Sequence, residues 1–348
     1  MPHAVSEEPG TGGVAHGGCD CRLLTTADRA VFDLPQLYTK PPAKQLLQAL
    51  SQLSRAPPSW TDGDDKRDED ATGIAQYLTG IVANGLRWIS DEEREEVWEH
   101  ASRALAARSG RSAMSAMTRS FRIPVRDGAV DLLIHEPALT EDNLGFKTWA
   151  ASYLLAKRLH IDGIVVESGR MLELGAGTGL VGIAAGAVFG AEVVLSDLPE
   201  IVGNLAQNVA TNATVVEARG GSVSAAVLDW RDPKVLVGHG EERVGQTELF
   251  PVILAADSIY TPEHPALLAR AVATWLAPTA GARVLVELPL RLGFEAERLA
   301  FREEMRGRGL ALLDEGEEEG RDDWGNGGVV TCWYSVWGWV TLVEDTSN

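Results

Sequence analysis

Apolar positions recur along this chain with two different periods, and the change of period marks its parts. Ile74, Tyr77, Leu78 and Ile81 follow helical spacing and give one apolar face, which predicts a helix. A second helix is expected after Ser90, with Ser90 as N-cap and Glu93 three positions on, a capping-box arrangement. Its pattern carries to about residue 108. Residues 120–126 and 129–135 read as two strands around Asp127-Gly128, a pairing that predicts a β-hairpin. Beyond this point strand and helix patterns take turns. Phe146, Trp149, Ala150, Tyr153 and Leu154 mark an amphipathic helix. Strands are expected over residues 170–174, 192–197, 223–228, 252–256 and 283–288, and helices over 180–189, 200–212, 265–276 and 295–308. Such alternation predicts a parallel sheet covered on both faces. The last two strands, 310–313 and 329–340, are joined by an acidic glycine-rich loop with no helix between them. They are expected to form an antiparallel pair at the sheet edge.

Three segments follow from this pattern. Residues 1–72 read as poorly structured or peripheral, with a Gly-rich start, the pairs Pro41-Pro42 and Pro57-Pro58, and a charge run over 62–70. Within them a short amphipathic piece over 44–53 has the pattern of a docking helix. Residues 73–140 form a helical lead-in and the hairpin, and residues 141–348 the α/β domain. An insert over residues 232–250, rich in Gly and Glu, reads as a flexible surface loop. There is no internal repeat.

Charge narrows the choice of partners. Lys and Arg number 31 against 50 Asp and Glu, a net charge of −19. Nucleic-acid binding leaves a basic footprint, so no direct nucleic-acid partner is expected. The field favours a cationic partner such as a basic protein surface, solubility being the plainer explanation. Of the three cysteines, Cys19 and Cys21 sit in the Gly-rich start and read as part of a disordered tail rather than a metal pair. No disulfide framework is present, no apolar run reaches transmembrane length, and no leader pattern is seen. A cytoplasmic protein without a membrane partner is expected. The seven His residues show no metal-ligand spacing, so no metal is expected.

The candidate chemistry begins at residues 172–180, Leu-Glu-Leu-Gly-Ala-Gly-Thr-Gly-Leu, where a strand runs through a glycine loop into a helix. Glycines there permit a tight turn and close approach of the backbone to a ligand. Two ligands compete. A dinucleotide fingerprint wants its third glycine where Leu180 stands, whereas here it is Gly179, one position early. Glu173 suits pyrophosphate badly but suits the ammonium and sulfonium of S-adenosylmethionine. Gly175, Gly177 and Thr178 are the loop's candidate cofactor contacts. Asp197 closes the second strand, followed by Leu198, and can accept hydrogen bonds from both ribose hydroxyls at about 1.5–3 kcal/mol each. That feature is shared with NAD sites. Asp229-Trp230, after the third strand, can take the adenine amino group and stack against the ring.

Together, Lys147-Thr148-Trp149, residues 172–180, Asp197, Asp229-Trp230 and Asp257-Ser258-Ile259-Tyr260 resemble the protein-lysine methyltransferase group of seven-stranded enzymes, methyltransferase group 16. The Asp-x-x-Tyr after the fourth strand is the most telling mark. The resemblance runs from about residue 121 onward. The stretch from Ile74 through Arg111-Ser112 to Phe121 also resembles the helical lead-in of the fungal branch that methylates translation elongation factor 2. The resemblance implies a Rossmann-like seven-stranded methyltransferase sheet, mainly parallel with an antiparallel C-terminal edge pair, and S-adenosylmethionine as cofactor. It implies that Trp149 contacts the cofactor, that Ala255 and Ala256 line its methionine end, and that Asp257 and Tyr260 face the incoming lysine as the catalytic pair. The implied partner is a basic surface of an elongation factor.

A lysine amine with its ordinary pKa of about 10.4 is protonated near neutrality and cannot attack until burial and a nearby sulfonium lower that value. A charged Asp257 opposes the shift, so its expected role is orientation of the amine, with Tyr260 as an aromatic wall. Asp257 read alone is also a helix cap. Trp333, Trp337 and Trp339 read as sheet packing, and Leu288-Pro289-Leu290-Arg291 as a border of the substrate channel without a catalytic role. A small-molecule methyltransferase on the same fold, a non-catalytic S-adenosylmethionine-binding protein and, last, an NAD-linked oxidoreductase are the alternatives.

Overall fold

Ser90 and Glu93 form the capping box. The Ser90 N–H donates to Glu93 Oε2 at 3.1 Å, and the Glu93 N–H donates to Ser90 Oγ at 3.3 Å. Two N–H groups that helix geometry leaves free are thereby satisfied. The computed structural model describes residues 34–53, 72–106, 116–138, 146–161, 169–240, 243–244, 249–321 and 329–340. Cys19, Cys21, the charge run 62–70 and Arg111-Ser112 lie outside them. Helices α1 (Ala43–Leu53), α2 (Thr72–Ala83) and α3 (Asp91–Ala106) close on a core that includes Leu46, Leu50, Leu78, Ile81 and Val97. The amphipathic piece at 44–53 is thus α1, and it shares one core with the two helices of the lead-in. Trp88 and Trp98 tie the connections by donating to the carbonyls of Pro41 (2.8 Å) and Asn84 (3.1 Å).

Strands β1 (Met117–Val125) and β2 (Gly128–Glu136) form the hairpin, with Val125 opposite Gly128. The two-residue turn is Arg126-Asp127, one position earlier than Asp127-Gly128 suggests, and Gly128 at φ 138° opens the second strand. One face of the hairpin, through Phe121, Ile123, Leu132 and Ile134, enters the main core.

The α/β domain continues with α4 (Ala150–Arg158), β3 (Arg170–Leu174), α5 (Leu180–Phe189), β4 (Glu192–Asp197), α6 (Pro199–Glu217) and β5 (Ser222–Val227). Then come β6 (Leu236–Gly238), β7 (Arg243–Val244), β8 (Val252–Ala256), α7 (His264–Trp275), β9 (Arg283–Pro289), α8 (Glu295–Gly307), β10 (Leu310–Arg321) and β11 (Val329–Trp339). The sheet order is β10-β11-β9-β8-β3-β4-β5-β6-β7. Strands β9, β8, β3, β4 and β5 are parallel, and β11 inserts antiparallel between β9 and β10. This is the expected seven-stranded methyltransferase sheet, mainly parallel with an antiparallel edge, extended by β6 and β7.

Two expectations need correction. The insert at 232–250 is not simply a surface loop: it contributes β6 and β7 to the sheet edge, and Leu236 is fully buried. Residues 314–321 of the acidic loop are strand instead, because β10 pairs with β11 as far as Arg321 opposite Val329. Partners on α8, α4 and β11 absorb its charge and surface. Arg302 pairs with Glu315, Arg158 pairs with Glu318 at 2.7 Å, and the Tyr334 ring lies where a Gly316 side chain would stand. Trp333, Trp337 and Trp339 pack as expected, each with its indole N–H spent on Glu315, Ser335 and Ala277 respectively.

Candidate active site

Strand β3 ends in the glycine loop, and three of its glycines take positive φ: Gly175 at 67°, Gly177 at 56° and Gly179 at 87°. Side chains avoid that region. At Gly175 space is tight as well, since a Cβ there would come within 3.1 Å of the Trp230 indole and 3.7 Å of Ser258 Cβ. The indole from the end of β5 and the serine from the end of β8 therefore converge on one glycine.

Asp197, at the end of β4, fixes this loop from the side. Its Oδ2 accepts from the Gly177 N–H and its Oδ1 from the Leu198 N–H, both at 2.7 Å. Each oxygen keeps a further lone pair for a ligand. Burial pushes its carboxyl up to about 6, with the two backbone donors opposing. Glu173 lies beneath the loop, where one oxygen accepts from the Gly182 N–H of α5 at 2.8 Å. Burial raises it to about 8, so it holds a proton at neutral pH.

The hairpin positions the segment before α4. Glu136 closes β2 in a buried pair with Arg119 (3.4 Å), and its Oε1 accepts from the Thr148 N–H at 2.8 Å. The Thr148 hydroxyl in turn bonds that of Thr178 at 2.8 Å. Thr178 is thus directed at the protein interior, joining the glycine loop to Lys147-Thr148-Trp149. Trp149 stands at the N-cap of α4, half-buried, with Lys147 Nζ 4.3 Å from its ring centre.

On the other side, Asp257 follows β8 at φ 47°, and its N–H extends the ladder to Glu287 O at 2.9 Å. Its carboxylate is held by both ends of the Arg291 guanidinium, at 2.9 and 2.7 Å. The same guanidinium lies 5.0 Å from the Trp149 ring centre. Tyr260 is half exposed, its ring edge-on to His264 at 4.3 Å, and His264 in turn meets Trp230 at 5.9 Å. Burial first, then Asp197 and Asp257, push the Tyr260 phenol up.

Not every expected contact faces this cleft. Ala255 is fully buried in the core beneath α7, so its side chain is not a lining group. Ala256 faces the opposite core, beside α5. Asp229 is occupied by Arg231, which donates from its side chain at 2.7 and 3.0 Å and from its backbone at 2.9 Å, holding the carboxyl below its usual range. Glycine loop, Asp197, Trp230, Trp149 and Asp257 are brought together. Sequence reading missed His264, named Ser258 only as part of its motif, and placed Arg291 only at the border of the substrate channel. The Ser258 hydroxyl is buried and has no hydrogen-bond partner among the described residues. The only signal for Arg291 was its place after the fifth strand.

Known protein-lysine methyltransferases resemble this chain over most of its length. The lysine methyltransferase family matches residues 129–297. The protein-lysine N-methyltransferase rrg1 of Schizosaccharomyces pombe is 33% identical over 306 residues, 88% of this chain and 97% of its own. The protein-lysine N-methyltransferase EFM2 of Saccharomyces cerevisiae is 33% identical over 271 residues, 72% of this chain and 62% of its own. A mouse protein named EEF1A lysine methyltransferase 3 is 29% identical over 141 residues, 38% of this chain and 54% of its own. With likeness to rrg1 along most of both chains, this chain belongs to the lysine methyltransferase family.

Proposed function

We propose that the protein transfers the methyl group of S-adenosylmethionine to the ε-amine of a lysine in a translation elongation factor, elongation factor 2 being favoured. The observation that carries the reaction is the meeting of two half-sites at Gly175. The cradle made by the glycine loop, Asp197 and Trp230 adjoins the strand end that presents Ser258 and Asp257. The buried, unpartnered Ser258 hydroxyl fits a polar ligand at that junction. For the partner, the support is a net charge of −19, suited to a basic surface, the half-exposed Tyr260 at the rim, and the name of the mouse relative. The lead-in that resembles the elongation factor 2 branch favours that factor. The cytoplasm, where such factors work, is the proposed compartment.

The cofactor supplies an electrophilic methyl on a sulfonium. What this chain contributes is alignment. Asp197 holds the loop and offers its remaining lone pairs to ribose hydroxyls. Trp230 covers Gly175, and Trp149 walls the side facing Asp257. Asp257 accepts an N–H of the acceptor amine and sets its direction, while Tyr260 shields it from water. Because the amine loses its proton before it attacks, orientation and desolvation suffice without a dedicated base.

The test is transfer of label from S-adenosylmethionine into a cytosolic extract that lacks the endogenous activity, resolved by protein size. One labelled band at the mass of elongation factor 2, with methyl on lysine, is expected. Label in small molecules alone would overturn the protein substrate. A band at another mass would overturn the elongation factor.

A further inference from the structure

Arg291 belongs to none of the motifs that mark the site, yet it makes a two-point ionic contact in it. Nη1 donates to Asp257 Oδ1 at 2.9 Å and Nη2 to Oδ2 at 2.7 Å, with the Asp257 side chain 5% exposed and that of Arg291 33%. A two-point contact of this kind fixes the plane of the carboxylate as well as its charge. The guanidinium also lies over Trp149, so one side chain spans both walls of the acceptor side.

Under the function proposed above, on which this inference rests, Asp257 has conflicting duties. It must accept a hydrogen bond from the acceptor amine, but a buried carboxylate favours the ammonium form, which cannot attack. Pairing offsets the charge of the carboxylate, and the guanidinium takes two of its roughly four acceptor positions. We propose that Arg291 is a positioning residue that neutralises Asp257, so that the carboxylate directs the acceptor amine without holding its proton. Three neighbouring acids add no charge of their own to the site. Glu287, on β9, is kept protonated by burial, and the Cys332 thiol from β11 is pushed up and stays neutral. Tyr260 likewise keeps its proton. Lys147, ahead of α4, lies against the Trp149 ring, and Asp197 is engaged with the glycine loop.

The experiment measures initial rates of methyl transfer from labelled S-adenosylmethionine into protein of the same extract, from about pH 6.5 to 9.5. The enzymes are wild type, R291Q, R291K, D257N and the double variant R291Q/D257N. Asp257 without its guanidinium raises the pKa of the amine, so the rate of R291Q is expected to rise at higher pH. Its midpoint should move up by about one unit, giving about tenfold less activity near neutrality and recovery in alkali. R291K should restore most of the midpoint, and in the D257N background R291Q should cause no further shift. Cofactor affinity by calorimetry should stay level throughout. An unshifted R291Q profile would overturn the inference. So would a rate above wild type near neutrality, which would make Arg291 a plug in the place of the substrate. Full wild-type activity in D257N would instead overturn the lysine-site reading itself, whatever R291Q does.

Discussion

Asn208, on α6, pairs with His135 of the hairpin as a neighbouring strand residue would. Its Oδ1 accepts from the His135 N–H at 2.8 Å and its Nδ2 donates to the His135 carbonyl at 3.0 Å. Asn212, one turn on, does the same for Leu133 at 2.9 and 2.8 Å. A helix thus satisfies the open edge of β2 through side chains, which a strand edge requires when it is covered. Asn208 Nδ2 also donates to the Thr178 carbonyl at 2.9 Å, so the hairpin and the glycine loop share one anchor.

Asn208→Leu should therefore destabilise the protein more than its loss of one amide suggests. It strands the part-buried His135 N–H and the Thr178 carbonyl, at about 1–3 kcal/mol for each group left unpaired, while Asn204 still reaches the His135 carbonyl. Asn204→Leu is the comparison, because Asn204 gives β2 one 3.2 Å bond to His135 and its own buried Oδ1 has no partner among the described residues. Thermal melts should show a clearly larger fall for Asn208→Leu. Equal falls would mean that the ladder contributes little.

Asp197→Ala should weaken cofactor binding by about tenfold to a hundredfold, since it removes charge-assisted acceptors from the ligand and the clamp on Gly177 together. Calorimetric titration with S-adenosylmethionine reads this directly. Asp257→Asn should leave that affinity nearly unchanged, because Asn tolerates positive φ and the Asp197 cradle is untouched. Equal losses in both variants would show that the two half-sites do not act separately.

The legible part of this protein is its alternation of periods and its local motifs. Residues 252–256 were readable as a strand from apolar β-branched content alone, and Gly175 to Gly179 as a loop because a strand precedes and a helix follows. What stayed hidden depends on chain-distant pairing. Residues 314–321 carry the composition of a loop, yet β11 pairs with them and overrides propensity. Asp257 was legible through the family resemblance that Asp-x-x-Tyr carries, but Arg291 lies 34 positions away and meets it only because β8 and β9 are neighbours. Asn204, Asn208 and Asn212 do repeat at helical spacing, a signal that could have pointed to a polar seam on α6. Glu173 was readable as the acid of the loop, while its proton follows from burial alone.

Two helical glycines should respond in opposite directions to alanine. At Gly182 a Cβ would come within 2.5 Å of both Glu173 Oε2 and Leu195 Cγ, so Gly182→Ala should cost about 1–3 kcal/mol through overpacking. At Gly203, inside α6, a Cβ meets nothing within 4 Å, and Gly203→Ala should stabilise by about 0.4–1 kcal/mol. Chemical denaturation of the two variants provides the comparison. A neutral Gly182→Ala would show that Glu173 can yield its place beneath the loop.

Glu287 sets the final expectation, on pH. It is fully buried, neither carboxyl oxygen has a hydrogen-bond partner among the described residues, and burial pushes it from an ordinary 4.5 to about 9. Arg158 offers little relief, since its Nε stands 3.9 Å from Glu287 while its guanidinium pairs with Glu318 at 2.7 Å and covers the Tyr334 ring at 3.5 Å. Between those two pKa values the folded chain keeps a proton that the unfolded chain releases. Stability therefore falls as pH rises across that window, by about 1.4 kcal/mol per unit for one such group. Glu173, up to about 8, and Asp197, up to about 6, add the same sign over narrower windows. Glu287→Met fills the space with an apolar side chain and removes the largest of these contributions. Denaturation at about pH 5.5 and 8.5 should show the variant gaining on wild type in alkali and a shallower decline between the two conditions. Equal destabilisation at both values would instead mean that Glu287 is ionised when folded and that its pairing with Arg158 holds β9 against α4.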